Sequence, residues 1–123
     1  MYIYHNENPQ NYLVPDCVVR AITLALKIPY AEVVNMLDYN GKCLNCETLN
    51  VRCYEKLLDN DLCLPHYEGN GDTAKEVVRN LPNETILLRM DGHLSCAICG
   101  NIYDLWNCEN EVITDFWLVP STK

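Results

Sequence analysis

The apolar positions of this chain follow two different periods. From Val18 to Leu26 they recur at helical spacing: Val18, Val19, Ile22, Leu24, Ala25 and Leu26 make a wide apolar face. Asp16 is placed to cap that helix and Pro29 to stop it. A second short helix is expected from about Ala31 to Leu37, with Val33, Val34 and Leu37 inward, ending near Asn40-Gly41. Asn45 is suited to cap a third, in which Leu49, Cys53, Leu57 and Leu58 keep the spacing. Asp72 is suited to cap a fourth, from Thr73 to about Asn80, closed by Leu81-Pro82. Beyond that point the period shortens. Segments 85–90, 92–98, 102–106 and 112–119 are rich in Ile, Leu, Val, Trp and Tyr and are separated by Gly or Asn, as strands are.

Helices first and then an antiparallel β-meander predict an α+β fold. With 123 residues the chain is expected to form one domain, a helical half over about 1–81 and a sheet half over about 82–120. A cleft between the halves is the natural place for a site.

Composition narrows the function classes. A net charge of -8 and no cluster of three basic residues oppose binding to phosphate backbones or anionic lipid, so neither nucleic acid nor membrane is an expected partner. No apolar run has bilayer-spanning length, and the first residues lack the basic-then-apolar order of a secretory leader, so a cytoplasmic location is the default expectation. The eight cysteines are then expected to be mostly reduced. Two Cys-x-x-Cys pairs, Cys43/Cys46 and Cys96/Cys99, invite a zinc reading. Cys96 and Cys99 lie three apart on an expected strand and so point to opposite faces. Cys43 and Cys46 would need ligands from elsewhere. The cysteines other than Cys17 are therefore taken as small buried hydrophobes, and no metal or cofactor is expected.

Cys17 stands apart. It follows Asp16 in the first turn of the expected helix, where unpaired N–H groups and the helix dipole favour a negative sulfur. Asp16 opposes this through its own charge, and Arg20, four residues on, is placed to pair with it. His93 and Asp104 lie on consecutive expected strands. A two-residue turn at Cys99-Gly100 would set His93 opposite Trp106 and Ser95 opposite Asp104. His93 and Asp104 then become diagonal neighbours on one face, about 7–8 Å apart at the backbone. Ser95 and Ala97 on that face are small, leaving room for a helix end that carries a sulfur, while Leu94, Cys96 and Ile98 face a core. A thiol, an imidazole to take its proton and a carboxylate to fix the tautomer are the parts of a thiol nucleophile. His5 and His66 have polar, unpatterned surroundings and are expected to be solvated.

The Asp-Cys-x-x-Arg-Ala-Ile opening, the Gly-His strand and the Ile-Tyr-Asp-x-Trp strand resemble small papain-like cysteine peptidases of the clan CA type, especially short members found in bacteria and their phages. The resemblance implies a minimal papain-like fold, with Cys17 as nucleophile, His93 as general base and acid, and Asp104 as the group that orients it. Trp106 then shields that hydrogen bond and borders the substrate. It also implies an oxyanion donor six residues before the cysteine, a glutamine in the family and Asn11 here, with Gln10 adjacent and Asn6 and Asn8 upstream. The activity implied is cleavage of an amide or isopeptide bond in a protein or peptide through a thioester. A second expectation is an interaction module that retains the papain-like shell but binds a partner protein without chemistry, such as a phage-encoded inhibitor of a host protein. A third is a metal or redox protein built on Cys43 and Cys46.

Overall fold

A computed structural model of the chain describes residues 1–11, 16–45 and 50–120. The pattern at Val18–Leu26 does form a helix, α1 (Cys17–Leu26), and Lys27 ends it in the left-handed conformation with its N–H on the Thr23 carbonyl. Asp16 stands at the N-cap, but its side chain does not cap the helix; the carboxylate is taken by other partners described below. Pro29 then starts α2 (Tyr30–Leu44), its carbonyl accepting from Glu32 and Val33. This helix runs past the expected stop at Asn40-Gly41. Both residues are buried inside it, and the Asn40 amide bonds Asp61 and Lys56 in place of a turn. Asn45 is the C-cap of α2, at φ 53°, instead of the N-cap of the next helix. Asparagine tolerates that left-handed backbone, so it suits either end of a helix.

The third helix, α3 (Val51–Glu55), is capped by Asn50 and continues as a π-helical turn over Lys56–Asp61. Leu49 and Cys46 lie outside the described residues. The fourth, α4 (Ala74–Asn80), takes its cap from Thr73 and not Asp72. Thr73 and Glu76 form a reciprocal capping box that satisfies two otherwise unpaired N–H groups at once.

The sheet has six strands in the order β1 (Tyr2–Tyr4), β5 (Asn101–Asp104), β4 (His93–Ile98), β3 (Thr85–Met90), β6 (Ile113–Val119) and β2 (His66–Glu68). It is α+β as expected, but it is mixed and not a plain antiparallel meander. β1 runs parallel to β5, and β6 returns to pair with β3 instead of following β5. Ile86, Leu87 and Leu88 are all fully buried, and such an unbroken apolar run is what a strand covered on both faces carries. The two edge strands come from the half expected to be helical. At three residues each they are too short to display an alternating pattern.

The β4–β5 hairpin forms as expected. Cys99 (φ 48°) and Gly100 (φ 88°) make its two-residue turn, and Cys96, Ala97 and Ile98 pair with Tyr103, Ile102 and Asn101. Two positive φ values in succession match the twist of the flanking strands.

Helices cover both faces of the sheet. α1, α2 and the π-helical turn bury Ile22, Leu37 and Leu58 against Leu87, Leu94, Cys96 and Trp117. α4 buries Val77 and Val78 in a second cluster with Ile86, Leu88, Ala97 and Ile102. Among the described residues no helix is long and apolar enough to cross a membrane.

Candidate active site

Cys17 opens α1, His93 opens β4 and Asp104 closes β5. The hairpin register puts the two strand residues at one end of the sheet, and α1 packs with its first turn at that end. The site therefore sits at the end of two interior strands, with Ser95 donating to Asp104 and Ala97 lying further along β4. Those two side chains are fully buried, and Ala97 belongs to the core beneath α4, so the void expected beside them is filled. α1 instead covers the Leu94 and Cys96 face, while α4 covers the other.

The His93 imidazole is held at both nitrogens. Nε2 meets Asp104 Oδ2 at 2.6 Å, and the Cys17 thiol bonds the same ring, which leaves Nδ1 for the sulfur. Burial alone would push the Cys17 thiol up. The bond to His93, the Leu94 backbone N–H and the charges of His93 and Arg20 outweigh it and hold the thiol below its ordinary value. Burial would likewise lower His93, but its bonds to Asp104 and Cys17 raise it to about 9. Near neutral pH both shifts favour thiolate and imidazolium over thiol and imidazole.

Asp104 is 3% exposed, and five donors surround its carboxylate. His93 Nε2 and Ser95 Oγ each lie 2.6 Å from Oδ2, with the Cys108 thiol at 3.8 Å. The Leu105 N–H at 2.7 Å and Arg20 Nη1 at 3.3 Å donate to Oδ1. Burial raises the Asp104 carboxyl, but the bonds from His93 and Ser95 prevail and keep it below the usual carboxylate value.

Trp106 lies against the imidazole, with ring centroids 4.9 Å apart and planes inclined by 46°. The structure thus brings Cys17, His93, Asp104 and Trp106 together. Asn11 stays outside this set of contacts. It is exposed at φ 57°, its N–H is bonded to the Asn8 carbonyl, and Tyr12 to Pro15, which join it to the nucleophile, lie outside the described residues. Gln10 is also exposed. The buried Asn8 amide donates to Asp16 Oδ2 at 2.9 Å, and Asn6 Oδ1 accepts the Asn8 N–H.

Two features escaped the sequence. The first is the reach of Arg20 to Asp104; its one signal was a cation in the middle of the apolar run of α1. The second is a cavity of about 280 Å³ beside the sulfur, bounded by Val18, Val51, Tyr54, Arg89, Met90 and His93. Arg89 in its wall is already bonded to Asp115 and Glu55, so the cavity presents apolar surface and a neutralised cation. A larger cavity, about 490 Å³ beside Lys75, Val78, Arg79 and Pro82, shares no lining residue with the sulfur site.

The other titratable residues depart from expectation in part. His66 bonds Asp59 and Asp115 and stacks on Trp117 at 4.3 Å, and His5 bonds Glu7 at 2.6 Å, so neither is simply solvated. Cys53, Cys96 and Cys108 are buried, whereas Cys43, Cys63 and Cys99 are exposed. Cys96 is buried on β4, whereas Cys99 is exposed in the β4–β5 turn and not on the strand expected to carry both. Among the described residues, two sets of side chains bring three metal-ligating atoms within 4.8 Å of one another: His93, Asp104 and Cys108, and Glu55, His66 and Asp115. In the first the donors converge on Asp104 Oδ2, and in the second the Arg89 guanidinium already engages both carboxylates.

No protein-family model matches the chain, and neither a curated protein nor a solved structure matches it.

Proposed function

We propose that the protein is a papain-like thiol hydrolase that cleaves an amide or isopeptide bond in a protein or peptide. The observation that carries this reading is the unbroken hydrogen-bonded line from the Cys17 sulfur through the His93 ring to the Asp104 carboxylate.

The Cys17 thiolate attacks the carbonyl carbon, a C–S bond forms, and the carbonyl π pair moves to oxygen. N–H groups of the first turn of α1 have no intrahelical acceptor and can receive that charge; in this reading the Asn11 amide joins them. As the intermediate collapses the C–N bond breaks, and the His93 imidazolium gives its proton to the leaving amine. Neutral His93 then takes a proton from water as the water oxygen attacks the thioester. The C–S bond breaks, a carboxylic acid leaves, and thiolate and imidazolium are restored. Asp104 keeps the ring turned toward the sulfur throughout, and the Trp106 indole shields the His93–Asp104 bond from water.

The test is alkylation of the native protein with iodoacetamide at pH 6, with adducts mapped by mass spectrometry. Fast labelling of Cys17 ahead of the exposed Cys43, Cys63 and Cys99 is expected, together with capture of Cys17 by a thiol-directed peptide probe. Slow and uniform labelling would reject the hydrolase and favour a binding module that only shares the shell.

A further inference from the structure

Arg20 is the one charged residue within α1, yet it is only 8% exposed. Its side chain touches two buried carboxylates from different parts of the chain. Nε donates to Asp16 Oδ1 at 2.6 Å, one turn back on its own helix, and Nη1 donates to Asp104 Oδ1 at 3.3 Å, at the end of β5. Asp16, 5% exposed, is in turn fastened by the Tyr30 hydroxyl at 2.7 Å and by the Asn8 amide at 2.9 Å. The element that carries the sulfur is thus tied, through one guanidinium, to the carboxylate that orients the imidazole.

We propose that Arg20 is a positioning residue of the site, holding Asp104 so that its other oxygen stays on His93 and fixing α1 against the β4–β5 hairpin. The contact stands on the geometry alone; its catalytic consequence rests on the thiol-hydrolase reading. A carboxylate turns readily about its terminal torsion, so one oxygen is held toward a partner only if the other is also held. The Leu105 N–H fixes Oδ1 from just past the end of β5, and Arg20 fixes it from the opposing helix. Two carboxylates in different directions call for a planar fork with several donors, which the single ammonium of lysine does not supply. The same guanidinium is the cation that, with His93, lowers the Cys17 thiol, so its loss raises the pH at which thiolate forms.

The test compares Arg20→Lys, which keeps the charge but loses the fork, with Arg20→Gln, which loses both. Melting temperature serves as the control for folding. Two readouts separate positioning from mere stability: the pH profile of Cys17 alkylation and the proton resonance of His93 Nε2–H. In Arg20→Gln the acid limb of the profile is expected to move up by about one pH unit, which is about tenfold slower labelling at pH 6. In Arg20→Lys a smaller displacement of that limb is expected. In both variants the Nε2–H resonance shifts away from its strongly bonded position. Wild-type profile and resonance in a folded variant overturn the proposal. Should both variants unfold, a coupling across the hydrogen bond from an Arg20 Nη to the Asp104 carboxyl carbon, measured in the unaltered protein, decides it. Detection supports the tie, and a freely rotating Arg20 guanidinium overturns it. Failure of Cys17 to label selectively in the wild type rejects the hydrolase reading while leaving the resonance test of Arg20 intact.

Discussion

Trp106 lies against the His93 ring at 4.9 Å, inclined by 46°, while remaining 43% exposed. With 43% of its surface in water, it contributes less to stability than a fully buried tryptophan would. In the proposed reading it excludes water from the His93–Asp104 bond, which strengthens in a drier setting. Replacing Trp106 by Ala is expected to leave the melting temperature within a few degrees of wild type and to slow Cys17 labelling by less than Asp104→Ala does. An equal loss in both variants would mean that the indole does more than cover the ring.

The opposed shifts of Cys17 and His93 fix the shape of the pH profile. Thiolate forms below the ordinary thiol value, and the imidazolium persists until about pH 9. Turnover, which needs both charged forms, is expected to rise on the acid side, stay level through neutrality and fall as His93 deprotonates near 9. For stability the two groups work in opposite directions. The raised His93 contributes fully below its unfolded value of 6.5, and this is lost as pH rises through about 9. The lowered Cys17 contributes above its unfolded value of 9.0, and this is lost as pH falls through its folded value. The two slopes oppose each other wherever their ranges overlap below 9, so denaturant midpoints are expected to depend less on pH there than either group alone would dictate. In His93→Ala the acid limb of alkylation should return to ordinary thiol behaviour; an unchanged limb would remove the imidazole as the source of activation.

Asp104 behaves differently because its carboxyl is held below 3.8. Its contribution is present above that unfolded value and is lost as pH falls through the folded one. Asp104→Asn should therefore be less stable than wild type at pH 7, with the gap narrowing as both proteins are taken toward pH 3. Urea titrations at several pH values measure this, and a gap that widens on acidification would contradict the assignment. The same variant should lose most of its Cys17 turnover while keeping its fold, since an amide can hold the ring in the wrong tautomer.

Much of this arrangement was legible in the residues, for identifiable reasons. Gly100 permits the tight turn, that turn sets the register, and the register alone brings His93 and Asp104 to one end of the sheet. Cys17 was legible because a helix start is marked by Asp16 and the apolar run behind it. What escaped depends on tertiary partners. Strands β1 and β2 are three residues each and gain their pairing only from the completed sheet. The length of α2 depends on Asn40 finding Asp61 and Lys56, and Asp16 gave up its capping role because Arg20, Tyr30 and Asn8 compete for its carboxylate. α1 packs on the Leu94 and Cys96 face, which the alternation along β4 marked as core, while Ala97 on the other face lies beneath α4.

The cavity beside the sulfur carries the last prediction. Val18, Val51, Tyr54 and Met90 give it an apolar lining, and Arg89 is neutralised by Asp115 and Glu55, so an acidic group would find no unpaired cation there. Peptide probes with a thiol-directed warhead should label Cys17 faster when the adjoining residue is leucine than when it is aspartate, by about tenfold or more, since desolvating a carboxylate beside two others is unfavourable. Val51→Asp should slow the leucine probe and leave the iodoacetamide rate unchanged, because the small reagent needs only the sulfur. Equal slowing of both reagents would indicate that Val51 supports the catalytic geometry itself, and equal rates for the leucine and aspartate probes on wild type would show that substrates lie elsewhere.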